Sequence, residues 1–76
     1  MEHFVVVYDR STGMLVSIEQ FDKDRIENAR TVRASLEIAR RSEPEIEVVL
    51  LGADSEETLR RTHSRYFESP SELASA

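Results

Sequence analysis

The stretch Phe4-Val5-Val6-Val7-Tyr8 constrains the fold more than any other part of the chain. Its side chains are all apolar or aromatic, and the central valines are β-branched, which is typical of a strand. Successive side chains of a strand point to opposite faces of its sheet, so a run of this kind needs cover on both faces. We therefore predict that this segment is the central strand of a sheet.

A hairpin follows this strand. Asp9-Arg10-Ser11-Thr12-Gly13 gathers turn-forming residues, and Gly13 can adopt a positive φ angle. The next run, Met14 to Phe21, alternates in part, with Met14, Val16 and Ile18 on one side and Ser17 and Glu19 on the other. Two runs joined by a short loop that contains glycine predict an antiparallel hairpin.

A helix is predicted after the hairpin. Asp24 followed by Glu27 has the spacing of a capping box, although Asp22 is a competing N-cap. The apolar positions that share one helical stripe are Ile26, Ala29, Val32, Leu36 and Ala39. The helix should end near Arg41 or Ser42, because Pro44 disfavours helical geometry at Glu43.

A third strand and a second helix complete the pattern. Ile46 to Leu51 is apolar on both faces apart from Glu47. Asp54 and Glu57 repeat the capping-box spacing, and the helix that they open is predicted to run to about Phe67. Ser69 to Ala76 contains Pro70 and is rich in Ser and Ala, which favours a frayed tail.

The order β-β-α-β-α predicts an α+β fold, a two-layer α/β sandwich. The most apolar strand should lie in the middle, so we predict a three-stranded sheet in the order 2-1-3 with two helices on one face. Residues 1–68 are expected to form a single small domain and residues 69–76 a flexible C-terminal tail. A domain of this size buries only about 60% of its unfolded surface, so either its core is tightly packed or a second subunit supplies further apolar surface.

With both helices on one face, the other sheet face would be open. We place Val5, Val7, Val49 and Leu51 on that face, beside Ser17 and Glu19, as a partner or dimer interface. An exposed apolar patch of this kind is typical of a binding surface. The alternative, given equal weight, is that the second helix crosses over and covers this face.

Little in the sequence indicates catalysis, metal binding or cofactor binding. The chain has no cysteine and two histidines, so it predicts no metal site and no thiol nucleophile, and its two glycines exclude the glycine-rich phosphate-binding motifs. We predict no catalytic residue and no cofactor. An enzyme centred on His63 and Tyr66 is the weakest hypothesis, because a histidine on an apolar helix face is more often a packing residue.

The charge pattern leaves a second hypothesis open. The net charge is −5, yet both helices are rich in arginine. Arg30, Arg33, Arg40, Arg60 and Arg65 would form one basic patch if the helices packed side by side, and such a patch suits nucleic acid. The ordinary explanation is helix stabilisation by pairs of opposite charge spaced three or four residues apart.

The leading functional hypothesis is therefore a small, non-enzymatic protein-interaction or regulatory module that forms a homodimer or binds another protein. A nucleic-acid-associated regulator that binds through its helix arginines is the alternative. Met1-Glu2-His3-Phe4 has no basic segment ahead of a long apolar run, so no membrane association is expected and the predicted location is cytoplasmic.

Overall fold

The computed structural model describes residues 1–67 and shows an α+β fold. The elements are three strands, two α-helices and a final 3-10 turn: β1 (Glu2–Asp9), β2 (Met14–Phe21), α1 (Ile26–Ala39), β3 (Ile46–Ala53), α2 (Glu56–Thr62) and the turn Ser64–Tyr66. No helix among these residues has the length and apolar character needed to cross a bilayer. The predicted tail, residues 69–76, lies outside the described residues.

The sheet has the predicted strand order, β2-β1-β3, and both pairings are antiparallel. β1 is central because its side chains are apolar on both faces, and Phe4, Val5, Val6 and Val7 are all buried. Val5 lies between Glu19 of β2 and Leu50 of β3, and this register fixes which side chains share a face.

The β1–β2 hairpin is confirmed, with Gly13 at a φ of 73°. The faces on which the β2 side chains lie differ from the prediction, because a bulge shifts the register beside Val7 and Tyr8. Tyr8 therefore pairs with Leu15, and Val16 is left as the extra residue. The expected alternation of Met14, Val16 and Ile18 is broken at this point, and Met14 and Val16 are exposed.

The two helices lie on opposite faces of the sheet, which corrects the prediction that both cover one face. Ala29 of α1 packs with Val5 and Phe21, whereas Leu59 of α2 packs with Phe4 and other residues of a separate cluster. Since Phe4 and Val5 are neighbours in a strand, these clusters lie on opposite sides. The alternative that the second helix covers the remaining face is what the structure shows.

Helix α1 begins and ends within three residues of its predicted limits. Its N-cap is Arg25, which makes no side-chain capping bond, so the expected capping box of Asp24 and Glu27 is wrong. Asp22 instead accepts a hydrogen bond through its carbonyl from the Arg25 N–H at 2.9 Å, forming a turn before the helix. The helix ends at Ala39 with Arg40 as C-cap, earlier than Arg41 or Ser42.

Helix α2 is shorter than predicted. Ser55, and not Asp54, is its N-cap, and the Ser55 hydroxyl accepts a hydrogen bond from the Thr58 N–H at 3.2 Å. The α-helix ends at Thr62, and a 3-10 turn carries the chain to Tyr66. The change of helix type brings the Tyr66 ring into the cluster around Phe4 and Leu59, where it is buried.

Candidate functional site

The four residues predicted as an interface do not share a face. Val5 and Val7 lie on the face of β1 that α1 covers, and both are almost fully buried within the single chain. Val49 and Leu51 lie on the opposite face, where they pack against the cluster that contains Leu59 of α2. The prediction of one open sheet face formed by these residues is therefore wrong, because each face carries a helix.

The surface left open is an edge of the sheet. The Arg10 N–H donates to the Glu45 carbonyl at 2.8 Å, so the backbone groups of Glu45 point towards β1. This direction alternates along a strand, and the groups of Val48, Leu50 and Gly52 consequently point away from the sheet. Within residues 1–67, no hydrogen bond reaches these outward groups.

The side chains of β3 match a central strand better than an edge strand. Val48 and Leu50 pack under α1, and Val49 and Leu51 pack under α2, yet all four remain partly exposed. An apolar run of this kind is typical of a strand with neighbours on both sides. An apolar edge with open backbone groups favours addition of a further strand.

The other edge of the sheet, β2, is protected. A bulge interrupts its pairing near Val16, and its exposed side chains include Ser17, Glu19 and Gln20. Bulges and charged side chains are devices by which natural sheets prevent a further strand from pairing. The two edges therefore differ in chemistry, and β3 is the one suited to association.

The predicted basic patch is divided between the two faces. Arg30, Arg33 and Arg40 follow α1 on one side of the sheet, and Arg60 and Arg65 lie on the other side. Each of these arginines also forms an ion pair with a glutamate: Arg30–Glu27 (2.7 Å), Arg33–Glu37 (3.4 Å), Arg40–Glu43 (3.4 Å), Arg60–Glu56 (2.9 Å) and Arg65–Glu47 (3.1 Å). The structure does not bring these residues together on one surface.

Arg60 and Arg65 also stack on aromatic rings. The Arg60 guanidinium carbon lies 4.6 Å from the centroid of Phe67, and that of Arg65 lies 4.6 Å from the centroid of Tyr66. Stacking and ion pairing together hold both arginines against their own chain.

Tyr66 is held in place by a hydrogen bond and by aromatic packing. Its hydroxyl donates to Glu47 Oε2 at 2.8 Å, and its ring meets Tyr8 edge to face with 5.2 Å between centroids. Burial, followed by the hydrogen bond to Glu47, raises the pKa of Tyr66 above its usual value of 10.0. His63, the other residue of the enzyme hypothesis, is the half-buried C-cap of α2.

Two open clefts flank α1. One, of about 290 Å³, lies at the helix end and is lined by Arg40, Arg41, Ile46 and Val48 among others. The second, of about 350 Å³, lies between α1 and β2 and is lined by residues that include Glu19 and Arg25. In the described part of the chain, no group of three or more His, Asp or Glu side chains is placed to hold a metal ion.

Comparisons of the chain with protein-family models, with curated proteins and with solved structures found no match. Sequence reasoning missed the β3 edge, although the signal was present in Ile46 to Leu51. That run is nearly as apolar on both faces as β1, whereas the predicted order already placed it at an edge with one neighbouring strand.

Proposed function

We propose that the protein is a non-enzymatic interaction module that self-associates through the open edge of β3. The outward backbone groups of Val48, Leu50 and Gly52 carry this proposal. Pairing with a strand from a second chain would satisfy these groups and cover the partly exposed apolar side chains on both faces of β3. The association surface is thus an edge, in place of the sheet face expected from the sequence.

The arrangement of charges supports a protein partner over a nucleic acid. The arginines of the two helices are paired with glutamates within the chain, so binding phosphates would require these ion pairs to break. Affinity for a phosphate backbone rises with the number of phosphates that are neutralised, and the adjacent carboxylates oppose that gain.

Sedimentation velocity of the full chain over a range of concentrations tests the proposal. Val48→Lys places a charge on the β3 edge, and Val16→Lys is the matched control on the bulged β2 edge. We expect wild type and Val16→Lys to form dimers at tens of micromolar and Val48→Lys to remain a monomer, with circular dichroism confirming that each variant is folded. A monomeric wild-type chain throughout the range contradicts the proposal.

Amide hydrogen exchange supplies a test without substitutions. If the edges of two chains pair, the amides of Leu50 and Gly52 should exchange more slowly as the protein concentration rises. The outward amides of Ile18 and Gln20 on β2 serve as internal controls and should show no change. Protection of Leu50 in a chain that sediments as a monomer would indicate that another segment of the same chain occupies the edge, which would also refute the proposal.

A further inference from the structure

We infer that two copies of this chain pair their β3 strands antiparallel about a twofold axis at Leu50, so that Arg41 of each copy meets Asp54 of the other. This inference rests on the proposed self-association and specifies its register. The result would be a continuous six-stranded antiparallel sheet with α1 and α2 of both copies on its faces.

Backbone geometry limits the choice of register. Residues of an antiparallel pair exchange hydrogen bonds only when the backbone groups of both point towards the shared edge. On β3 these are Val48, Leu50 and Gly52, together with Ile46. A twofold pairing must therefore set residues of this outward series opposite one another.

An axis at Leu50 gives hydrogen-bond partners to all the outward backbone groups in the middle of β3. Leu50 then lies opposite itself, and Val48 lies opposite Gly52, so every outward N–H and carbonyl of these three residues gains a partner. An axis at Val49 would set Ile46 opposite Gly52. That register is poorer, because the Ile46 N–H already donates to the Glu43 carbonyl at 3.0 Å.

The same register matches side-chain sizes across the axis. Leu50 meets Leu50 on the α1 face, and Val49 meets Leu51 on the α2 face. Val48 lies opposite Gly52, which has no side chain of its own and is covered by the thioether of Met1. Met1 is one of the most exposed large apolar residues of the described chain, at 67%, and Val48 of the second copy would pack against it.

Charge complementarity identifies the occupant as a second copy. The register places Asp54 opposite Ile46, and the cleft that Ile46 lines holds two arginines and two glutamates: Arg40, Arg41, Glu37 and Glu43. Arg40 pairs with Glu43 at 3.4 Å, whereas neither Arg41 nor Asp54 forms an ion pair within residues 1–67. Arg41 is thus a cation without an ion-pair partner in residues 1–67 near one end of β3, and Asp54 is such a carboxylate at the other end. Antiparallel pairing of identical strands brings the two together.

Charge exchange tests the ion pair by sedimentation equilibrium. We expect Arg41→Asp or Asp54→Arg alone to weaken the dimer by roughly tenfold, because each substitution removes two symmetric pairs and adds repulsion. The combined variant should return the dissociation constant to within roughly threefold of wild type. Lys23→Asp, in the loop before α1, makes the same charge change as Arg41→Asp and should have no effect.

Cysteine cross-linking tests the register, since the chain has no cysteine of its own. A Val49→Cys chain is mixed with a Leu51→Cys chain that carries an affinity tag, and the mixture is oxidised. Positions 49 and 51 face each other only when the axis lies at Leu50, and the expected product is a disulfide-linked dimer of one tagged and one untagged chain. Their Cα atoms would be about 4.5 Å apart, within the range for disulfides.

The outcomes separate the inference from the proposed function. A Val49→Cys chain linked to itself would place the axis at Val49, and dimers without any cross-link would exclude pairing of the β3 edges at this register. Either result, or a failure of the combined charge variant to recover, overturns the inference while self-association stands. Monomers at all concentrations overturn both.

Discussion

The hydroxyl of Tyr66 donates a hydrogen bond to Glu47 Oε2 at 2.8 Å and so joins the last turn of the described chain to strand β3. The Arg65 guanidinium donates to Oε1 of the same carboxylate at 3.1 Å. Glu47 interrupts an otherwise apolar strand, and these contacts explain how its charge is accommodated at the border of the Phe4 and Leu59 cluster. These two hydrogen bonds anchor the 3-10 turn on the sheet.

Removal of the Tyr66 hydroxyl should therefore weaken the fold. We expect Tyr66→Phe to lower the free energy of unfolding by about 1.5–3 kcal/mol, the usual net value of a hydrogen bond to a charged group. Urea unfolding measures this change. Tyr8→Phe is the matched control, because the Tyr8 ring packs against Tyr66 but its hydroxyl makes no hydrogen bond in the described residues. An equal loss in both variants would contradict the assigned role.

Alkaline pH should act through the same hydroxyl. Burial and the bond to Glu47 raise the pKa of Tyr66 in the folded protein above the unfolded value of about 10, since both favour the protonated phenol. Its stabilising contribution is thus complete below pH 10 and is lost as the pH rises through the folded pKa. Phenolate absorbance should show one tyrosine that titrates late, and this late step should be absent from Tyr66→Phe.

At the hairpin, Asp9 should give stability the opposite pH dependence, with a loss in acid. Its Oδ1 accepts hydrogen bonds from the Ser11 hydroxyl at 2.6 Å and the Ser11 N–H at 2.9 Å, and these bonds, the hydroxyl first, lower the pKa of Asp9 below 3.8. Its contribution is present above the unfolded pKa and lost as the pH falls through the folded one. Asp9→Asn should reduce stability at neutral pH and converge with wild type in acid. A parallel pH profile of the two proteins would contradict this.

The sequence predicted the strands well because their signals are local. The apolar run of β1 and the Gly13 turn determined the hairpin, and the bounds of β2 agree with the prediction. The bulge near Val16 was missed, since it depends on how two strands pair and leaves no mark in the periodicity of β2. The helix caps at Arg25 and Ser55 were missed because several polar residues compete at each end, and only the tertiary path of the chain selects one.

The placement of the helices, and with it the site, could not be read from periodicity. Each helix shows an apolar stripe, but a stripe does not indicate which face of a sheet it covers. Val5 and Val49 were assigned to one face because the register between β1 and β3 was unknown. In the structure Val5 pairs with Leu50, so Val49 lies on the opposite face, and the edge of β3 is left open.

Cover of the second sheet face by α2 predicts a large effect at Leu59. This side chain is fully buried against the cluster around Phe4. Leu59→Ala should lower the free energy of unfolding by about 2–5 kcal/mol through lost burial and a cavity. Ile38→Ala, at a 65% exposed position of α1, is the control and should change it by less than about 0.5 kcal/mol. A small effect at Leu59 would show that α2 does not cover this face.

The intrachain ion pairs predict that the protein does not bind nucleic acid. Fluorescence anisotropy with single-stranded RNA and duplex DNA at about 50 mM salt should show no binding by the wild-type chain, because carboxylates neutralise the helix arginines. A variant that combines Glu27→Gln, Glu37→Gln and Glu43→Gln releases Arg30, Arg33 and Arg40 on α1. This variant should gain weak binding that disappears as salt is raised. Tight, salt-dependent binding by the wild type would contradict this prediction.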